Sequence, residues 1–152
     1  GEENSGKLVN LVREEAKRLS QEGSLDTVLL DGPPGIGCPV ISTVTGVDKI
    51  VIVTEPTMSA LADLKRVHEV ARKFSGEVGV IINKYDLNEP MADRIEGWCA
   101  AQETTILGRL PFEEKVTEAM VDGKSIAELC PESEISKTLG VIWNKLISNG
   151  KE

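Results

Sequence analysis

Two short segments of the sequence combine residue types that suit contacts with phosphate, a metal ion or a nucleotide base. The first spans residues 31–37, directly after an apolar run, and reads Asp-Gly-Pro-Pro-Gly-Ile-Gly. A carboxylate at the end of a buried strand is costly unless a cation or donor groups meet it, and Mg²⁺ held through water is one solution. Gly35 lets its N–H approach a terminal phosphate, since no Cβ atom crowds it. Alternatively, Asp31 only opens a Pro-Gly turn.

The second segment, residues 83–86, follows another apolar run and reads Asn-Lys-Tyr-Asp. The amide of Asn83 carries both a donor and an acceptor, which suits the edge of a purine. Asp86 could accept two hydrogen bonds from guanine, as in the Asn-Lys-x-Asp pattern of GTPases, where Lys84 fills the second position. An Asx-type turn before Pro90 explains the same residues without a ligand.

A third candidate is the loop after the apolar run at residues 105–110. Pro111 ends that run and leaves backbone groups free to border a base, with Phe112 beside it. The alternative is a proline that simply terminates a strand. Thr57, after the run at residues 49–54, is better explained as a helix cap than as a ligand contact.

The hydrophobic pattern indicates which elements position these segments. Apolar runs without polar alternation are typical of strands buried on both faces of a parallel sheet. The runs of this kind are residues 27–31, 49–54, 78–83 and 105–110. The predicted helices are residues 5–22, 38–45, 57–74, 89–102, 113–121 and 132–148.

This alternation of strands and helices predicts an α/β fold with three layers, α/β/α, and a mostly parallel sheet. Residues 1–152 are expected to form a single domain. In open sheets of this kind ligands bind outside the carboxyl ends of the strands. We therefore expect Asp31, Asn83 and Pro111 to lie along one edge of the sheet.

The composition excludes several classes of function. The net charge of −8 makes the chain a poor partner for nucleic acid or an anionic membrane surface. No apolar run approaches the roughly 20 residues that span a bilayer. The three cysteines lack C-x-x-C spacing, which argues against a metal knuckle or a disulfide framework and favours a reducing, cytoplasmic location. The single histidine, His68, falls in a helical pattern, so we expect a packing or solvated role.

One further match to a phosphate-binding motif is misleading. Residues 1–7 fit G-x-x-x-x-G-K, but Leu8 stands where Mg²⁺ binding needs Ser or Thr. No predicted strand leads into this match, and two glutamates within it would repel phosphates. We therefore do not expect a phosphate loop at residues 1–7.

Taken together, the candidate segments resemble the MinD/ParA/Mrp-like superfamily of deviant P-loop ATPases over residues 5–147. Residues 31–35 resemble its switch segment, D-x-P-P-G, and residues 52–57 resemble its V-T-x-P-T strand and helix start. Asn83 with Lys84 resembles the base-contacting position. Residues 110–112 resemble the loop that borders the base.

A narrower resemblance points to one branch of that superfamily. Residues 3–9 followed by residues 35–40 resemble the branch in which a ferredoxin domain with two [4Fe–4S] clusters is inserted after the phosphate loop. The resemblance implies an intact protein that binds Mg-ATP, forms an ATP-dependent homodimer and couples hydrolysis to its ferredoxin domain or a redox partner.

The resemblance also assigns roles to individual residues. Asp31 would hold Mg²⁺ through water, and Gly35 would sense the γ-phosphate, which makes these two the catalytic candidates. Asn83 would contact the base, while Pro111 and Phe112 would border it. Lys84 and Asp86 lie in the same nucleotide-binding segment.

Several motifs of the resembled family are missing from residues 1–152. The family's first strand, its K-G-G-x-G-K-T loop, its switch I residues and the ferredoxin cysteines do not occur. We therefore expect a C-terminal segment of such an ATPase, with no [4Fe–4S] cluster of its own and no ATP hydrolysis by itself. A redox role for Cys38, near the switch segment, is less expected than simple packing.

Two other functions remain open. One is a GTP-binding protein, because residues 83–86 fit the guanine motif. Against it, Gly35 stands four residues after Asp31, whereas GTPases place the switch glycine at three. The other is a non-catalytic docking domain with a vestigial ligand site.

The missing strand leads to an expectation about the sheet. In the resembled fold the phosphate-loop strand lies between the strand at residues 27–31 and the strand at residues 49–54. We expect both to be buried on both faces and to pair directly in parallel, because a crossover of about 17 residues can join adjacent strands.

Overall fold

The computed structural model describes residues 2–74 and 76–148. The strands are β1 (Lys49–Thr54), β2 (Glu77–Asn83) and β3 (Thr105–Leu110). The helices are α1 (Glu2–Glu22), α2 (Cys38–Val44), α3 (Met58–Phe74), α4 (Glu89–Ala101), α5 (Glu114–Val121), α6 (Ile126–Leu129) and α7 (Glu134–Ser148), and a 3₁₀ turn covers Tyr85–Leu87.

The described residues form a three-stranded sheet in the order β1–β2–β3. Strands β2 and β3 are parallel, and Asn83 at the end of β2 is in register with Leu110 at the end of β3. Every residue from Val78 to Ile82 is buried, which is the two-face burial expected of a strand with neighbours on both sides. The predicted α/β fold with a parallel sheet is therefore confirmed.

The predicted strand at residues 27–31 does not form. This segment has no regular structure, and the side chains of Val28 and Leu29 are 44% and 78% exposed. The predicted direct pairing with residues 49–54 is therefore wrong. A strand is stable only when its backbone groups are paired and its apolar side chains are covered, and these exposed side chains gain little from burial.

The two-face burial predicted for residues 49–54 is also wrong. In β1 the side chains of Ile50, Ile52 and Thr54 are buried, whereas Val53 is 61% exposed. This strand lies at one edge of the sheet as described, with β2 as its neighbour. The apolar run at residues 49–54 has no polar alternation, so the sequence did not show which face of β1 would be covered by other residues.

The chain divides into two compact units. The first comprises Gly1–Ile50 and Lys65–Val78, and the second comprises Val51–Leu64 and Gly79–Glu152. In the first unit, α1 packs against α2, and the guanidinium of Arg13 donates a hydrogen bond to the Ser42 carbonyl at 2.6 Å.

Helix α1 confirms the predicted amphipathic helix, but most of its large apolar side chains are exposed. The exposed apolar residues of α1 are Leu8, Leu11, Val12 and Leu19. Because the chain is helical from Glu2, the match to a phosphate-loop motif at residues 1–7 does not form a loop.

The core of the second unit joins β2 and β3 to the C-terminal helices. Its buried residues are Ile81, Leu107, Leu110, Ile126, Ile135 and Ile142. Helix α7 packs on β3, and the Lys145 ammonium donates to the Leu107 carbonyl at 2.8 Å. Helix α6 was not predicted, although Ser125 and Glu128 form a capping box whose S-x-x-E spacing is visible in the sequence.

Gly108 allows α7 to approach β3 closely, which generates a prediction about stability. A Cβ atom at this position would lie 2.7 Å from Ile142 Cδ1 and 2.8 Å from Ile142 Cγ1. Because Ile142 is buried in the core, Gly108→Ala should lower the free energy of unfolding by about 1–3 kcal/mol. Urea denaturation provides the measurement.

Gly140→Ala is the matched control for Gly108→Ala. It adds the same methyl group to α7, where nothing lies within 4 Å of the new Cβ. This variant should raise the free energy of unfolding by about 0.5–1 kcal/mol, since alanine favours a helix over glycine. Equal urea midpoints for the two variants would contradict the proposed packing constraint.

The position of His68 generates a second prediction. This side chain on α3 is buried, so the packing role is confirmed, and burial followed by the nearby charge of Arg72 lowers the pKa of His68. Between that lowered pKa and the ordinary value of about 6.5, the unfolded chain binds a proton that the folded chain does not. The free energy of unfolding therefore falls as the pH drops through this window.

The variant His68→Gln, which cannot titrate, should lose that part of the pH dependence. Urea denaturation of both proteins at several pH values below 7 gives the comparison. Carboxylates contribute equally to both proteins, so the difference between the two curves isolates the histidine. Parallel curves for the two proteins would show that His68 titrates normally in the folded state.

Candidate functional site

The carboxyl ends of the strands in the second unit place two of the predicted segments next to each other. Asn83 and Leu110 are register partners on parallel strands, so the segments that follow them leave the sheet side by side. The segment after β2 contains Lys84–Leu87, and the segment after β3 contains Pro111–Glu113. The arrangement gives a polar edge of the kind at which α/β sheets bind ligands.

Lys84 makes the sharp turn out of β2. Its φ of 54° lies in the left-handed region, which is uncommon for residues other than glycine. Its ammonium forms an ion pair with the carboxylate of Glu55, just after β1, at 2.7 Å. Both side chains are partly exposed, so the pair fixes geometry more than it adds stability.

Asp86 connects two of the loops. Its Oδ1 accepts a hydrogen bond from the backbone N–H of Phe112 at 2.7 Å, across 26 residues of sequence. Two residues later, Asn88 caps α4 by accepting from the Met91 N–H at 3.2 Å. The loop between β2 and α4 is therefore anchored at both its start and its end.

The ring of Tyr85 lies against Arg109 on β3. The guanidinium carbon of Arg109 lies 5.7 Å from the centre of the Tyr85 ring, a cation–π contact. Arg109 also donates to Glu96 at 2.5 Å and to Asp93 at 2.8 Å, both on α4. The hydrogen bond to Glu96, followed by the one to Asp93, raises the pKa of Arg109.

Pro111 and Phe112 form the surface of the neighbouring loop. The Phe112 ring is 47% exposed, and Pro111 is half-buried at the end of β3. Glu113 then caps α5 by accepting from the Lys115 N–H at 3.3 Å. The loop thus presents an apolar ring from a fixed backbone.

Thr57 has the capping role that the sequence suggested. Its hydroxyl accepts a hydrogen bond from the Ala60 N–H at 3.1 Å at the start of α3. The sequence did not predict the roles of Glu55, Arg109, Asp93 and Glu96. Glu55 follows a strand, which could have marked it, but nothing in the sequence pairs Arg109 with residues of α4.

Asp31 and Gly35 lie in the first unit. Both are exposed in the irregular segment before α2. Gly35 has a φ of +97°, which only glycine adopts without strain. The sequence marked Gly35 as a position where a Cβ would crowd a phosphate, and it did not predict this φ. The strand expected to end at Asp31 is absent.

The cysteines do not form a metal site in the part of the chain that the structure describes. Cys99 is fully buried, and burial followed by the charge of Glu96 raises the pKa of its thiol to about 11, so the thiol is inert. Cys38 is exposed and Cys130 is partly buried. Across residues 2–74 and 76–148, no group of three or more His, Cys, Asp or Glu side chains is arranged to hold a metal ion.

Among the described residues, no helix is both long enough and apolar enough to cross a membrane.

Comparison with known proteins identifies the class. A ParA family profile described as NUBPL iron-transfer P-loop NTPase matches residues 6–147. The chain belongs to this family, the ParA/MinD-like P-loop NTPases.

Two relatives carry names that concern iron–sulfur clusters. A cytosolic Fe-S cluster assembly factor Nubp1 homolog from Drosophila grimshawi is 29% identical over 84% of the chain, and an iron-sulfur cluster carrier protein from Aquifex aeolicus is 31% identical over 76%. The chain spans 47% and 35% of the lengths of these relatives. It is thus similar to less than half of each protein.

Solved structures show the same fold. The MinD cell division protein of Aquifex aeolicus matches 97% of the chain and 62% of its own length, with 24% identity and a TM-score of 0.75. The septum site-determining protein MinD from Pyrococcus horikoshii, complexed with Mg-ADP, matches 98% of the chain and 58% of its own length, with 21% identity and a TM-score of 0.73.

The contacts of Arg109 generate a prediction. Arg109→Met keeps much of the side-chain volume but removes the hydrogen bonds to Asp93 and Glu96 and the charge over Tyr85. The free energy of unfolding should fall by about 1–2 kcal/mol, the value of hydrogen bonds to charged groups that are partly screened. Thermal and urea denaturation provide the measurement.

Arg18→Met is the matched control. Arg18 also bridges two carboxylates, those of Glu15 and Glu22, but on the exposed surface of α1. Solvent screens such pairs, so this variant should unfold at the same urea concentration as the unaltered chain. If Arg109→Met behaves like Arg18→Met, the network does not anchor the loop.

Proposed function

We propose that residues 1–152 are the C-terminal segment of a P-loop ATPase domain of the MinD type, and that this segment supplies the switch and the base-binding loops for Mg-ATP. The observation that carries the proposal is the pair of loops after β2 and β3, which leave the sheet side by side and are joined by the hydrogen bond from Phe112 to Asp86. Family membership supports it, since the matched profile is that of a P-loop NTPase.

The residues of these loops suit a purine. Asn83 offers an amide donor and acceptor at the end of β2 for the edge of the base. The partly exposed Phe112 ring, next to Pro111, offers an apolar surface for the face of the base. Lys84 and Asp86 belong to the same nucleotide-binding segment. The ion pair between Lys84 and Glu55 holds the start of this segment in place.

Asp31 and Gly35 are the proposed phosphate-side residues. Asp31 is an exposed carboxylate, and a single carboxylate with bound water and phosphate oxygens is the donor set that Mg²⁺ prefers. Gly35 has the positive φ that lets a backbone N–H face a γ-phosphate without a Cβ. Bound Mg²⁺ would neutralise charge on the phosphates.

The proposal for the intact protein is coupling of ATP hydrolysis to iron–sulfur chemistry in the cytoplasm. The names of the two relatives support it. We place the [4Fe–4S] clusters in a ferredoxin domain of the intact protein, as in the branch that the sequence resembles. An ATP-dependent homodimer and a redox partner belong to the same proposal.

Binding of nucleotide to the full-length protein tests the function. Asn83→Ala should weaken ATP binding about tenfold, since the base loses a donor and an acceptor at once. Asn88→Ala is the matched control in the same loop, where Asn88 caps α4. It should lower stability by about 1 kcal/mol but leave ATP affinity unchanged. Isothermal titration with ATP and GTP provides both affinities.

The outcomes separate the candidate functions. Tighter binding of GTP than of ATP, lost in Asp86→Ala, would favour a GTP-binding protein. Absence of any nucleotide binding would favour a docking domain and overturn the proposal.

The isolated 152-residue chain should not hydrolyse ATP. In P-loop NTPases phosphoryl transfer relies on a phosphate-loop lysine and a Ser or Thr for Mg²⁺, and the match to that loop at residues 1–7 is helical from Glu2. Phosphate release from purified chain gives the measurement. Mg²⁺-dependent turnover that disappears in Asp31→Ala would show that the expectation is wrong.

A further inference from the structure

Asp86 is the residue whose role differs most between an ATP site and a GTP site. In guanine recognition both oxygens of such a carboxylate accept hydrogen bonds from the base, one from N1–H and one from the amino group. In this protein Oδ1 of Asp86 is already aimed at the Phe112 N–H, at 2.7 Å. A guanine would have to share or displace that hydrogen bond.

The neighbours of Asp86 fix its position without a ligand. The preceding residues of its loop are each held by a different element: Lys84 by Glu55 after β1, and Tyr85 by Arg109 on β3. The loop therefore has little freedom to turn the carboxylate towards a base. The loop does hold Oδ1 of Asp86 in place as an acceptor for the Phe112 N–H of the neighbouring loop.

We propose that Asp86 is a positioning residue for the nucleotide base: it fixes the Pro111–Phe112 segment beside Asn83 and does not read the base itself. The inference rests on the proposed function. It makes adenine the preferred base, because an adenine site does not require a carboxylate with two free oxygens. Asp86 then acts through Phe112, whose ring is exposed at the surface of the loop.

The first test uses the 152-residue chain without nucleotide. The chemical shift and the hydrogen-exchange rate of the Phe112 amide proton report the hydrogen bond directly. Asp86→Ala should move the resonance upfield and speed exchange by roughly fivefold. Asp86→Asn keeps an acceptor oxygen and should remain close to the unaltered chain. Glu89→Ala, which removes a nearby exposed carboxylate, should change neither quantity.

The second test uses the full-length protein with ATP, GTP and XTP. Asp86→Ala should raise KM for ATP and weaken binding of ATP and GTP by the same factor, roughly fivefold, while kcat stays unchanged. Asp86→Asn should restore ATP binding. Xanthine carries a carbonyl where guanine carries its amino group. If Asp86 contacts the base directly, Asp86→Asn should therefore bind XTP more tightly and GTP less tightly.

The outcomes are distinct. An unchanged Phe112 amide in Asp86→Ala, unchanged ATP binding in that variant, or a switch from GTP to XTP in Asp86→Asn would each overturn the inference while nucleotide binding stands. If the unaltered full-length protein binds no nucleotide, the proposed function fails and the role of Asp86 in base positioning fails with it. The proposal is supported if Asp86→Ala shifts the Phe112 amide resonance, if it weakens ATP and GTP binding equally, and if Asp86→Asn restores ATP binding.

Discussion

The burial of β2 on both faces is the constraint on which the candidate site depends. Residues Val78 to Ile82 are all buried, with β1 on one side and β3 on the other. A strand in this environment admits apolar residues only, so its polar residues must follow where it reaches the edge of the sheet. The parallel register with β3 then brings the Pro111 loop to the same edge. The adjacency of the two loops is thus a consequence of core packing.

Electrostatics determine how those loops are held. The chain carries a net charge of −8, and at this edge its few cations are matched to carboxylates. Lys84 pairs with Glu55, and Arg109 pairs with Asp93 and Glu96. Each pair joins segments that are distant in sequence, so together they fix loop positions even though a partly exposed pair adds little stability by itself.

The two compact units differ in how completely their apolar residues are covered. The second unit has a core that runs from β2 and β3 into α7, where Gly108 allows close contact with Ile142. In the first unit, apolar residues of α1 and of the segment after it are exposed, among them Leu11 and Leu29. Strand formation at residues 27–31 would require neighbours that pair its backbone and cover its side chains.

The sequence by itself determined the features that depend on local pattern. Apolar runs marked β1, β2 and β3, and the residue types after them marked Asn83 and Phe112 as candidates. The Thr57 cap was also visible, because capping depends on residue type.

Only the tertiary structure decided the features that depend on partners distant in sequence. The run at residues 27–31 has the composition of a strand, yet strands form only where a neighbour pairs with them. Val53 belongs to an apolar run, but its exposure depends on what covers that face of β1. The carboxylate of Asp86 could serve a base or a backbone N–H equally well. The donor that lies 2.7 Å away comes from Phe112, 26 residues further along the chain, and only the folding of β3 beside β2 brings it there.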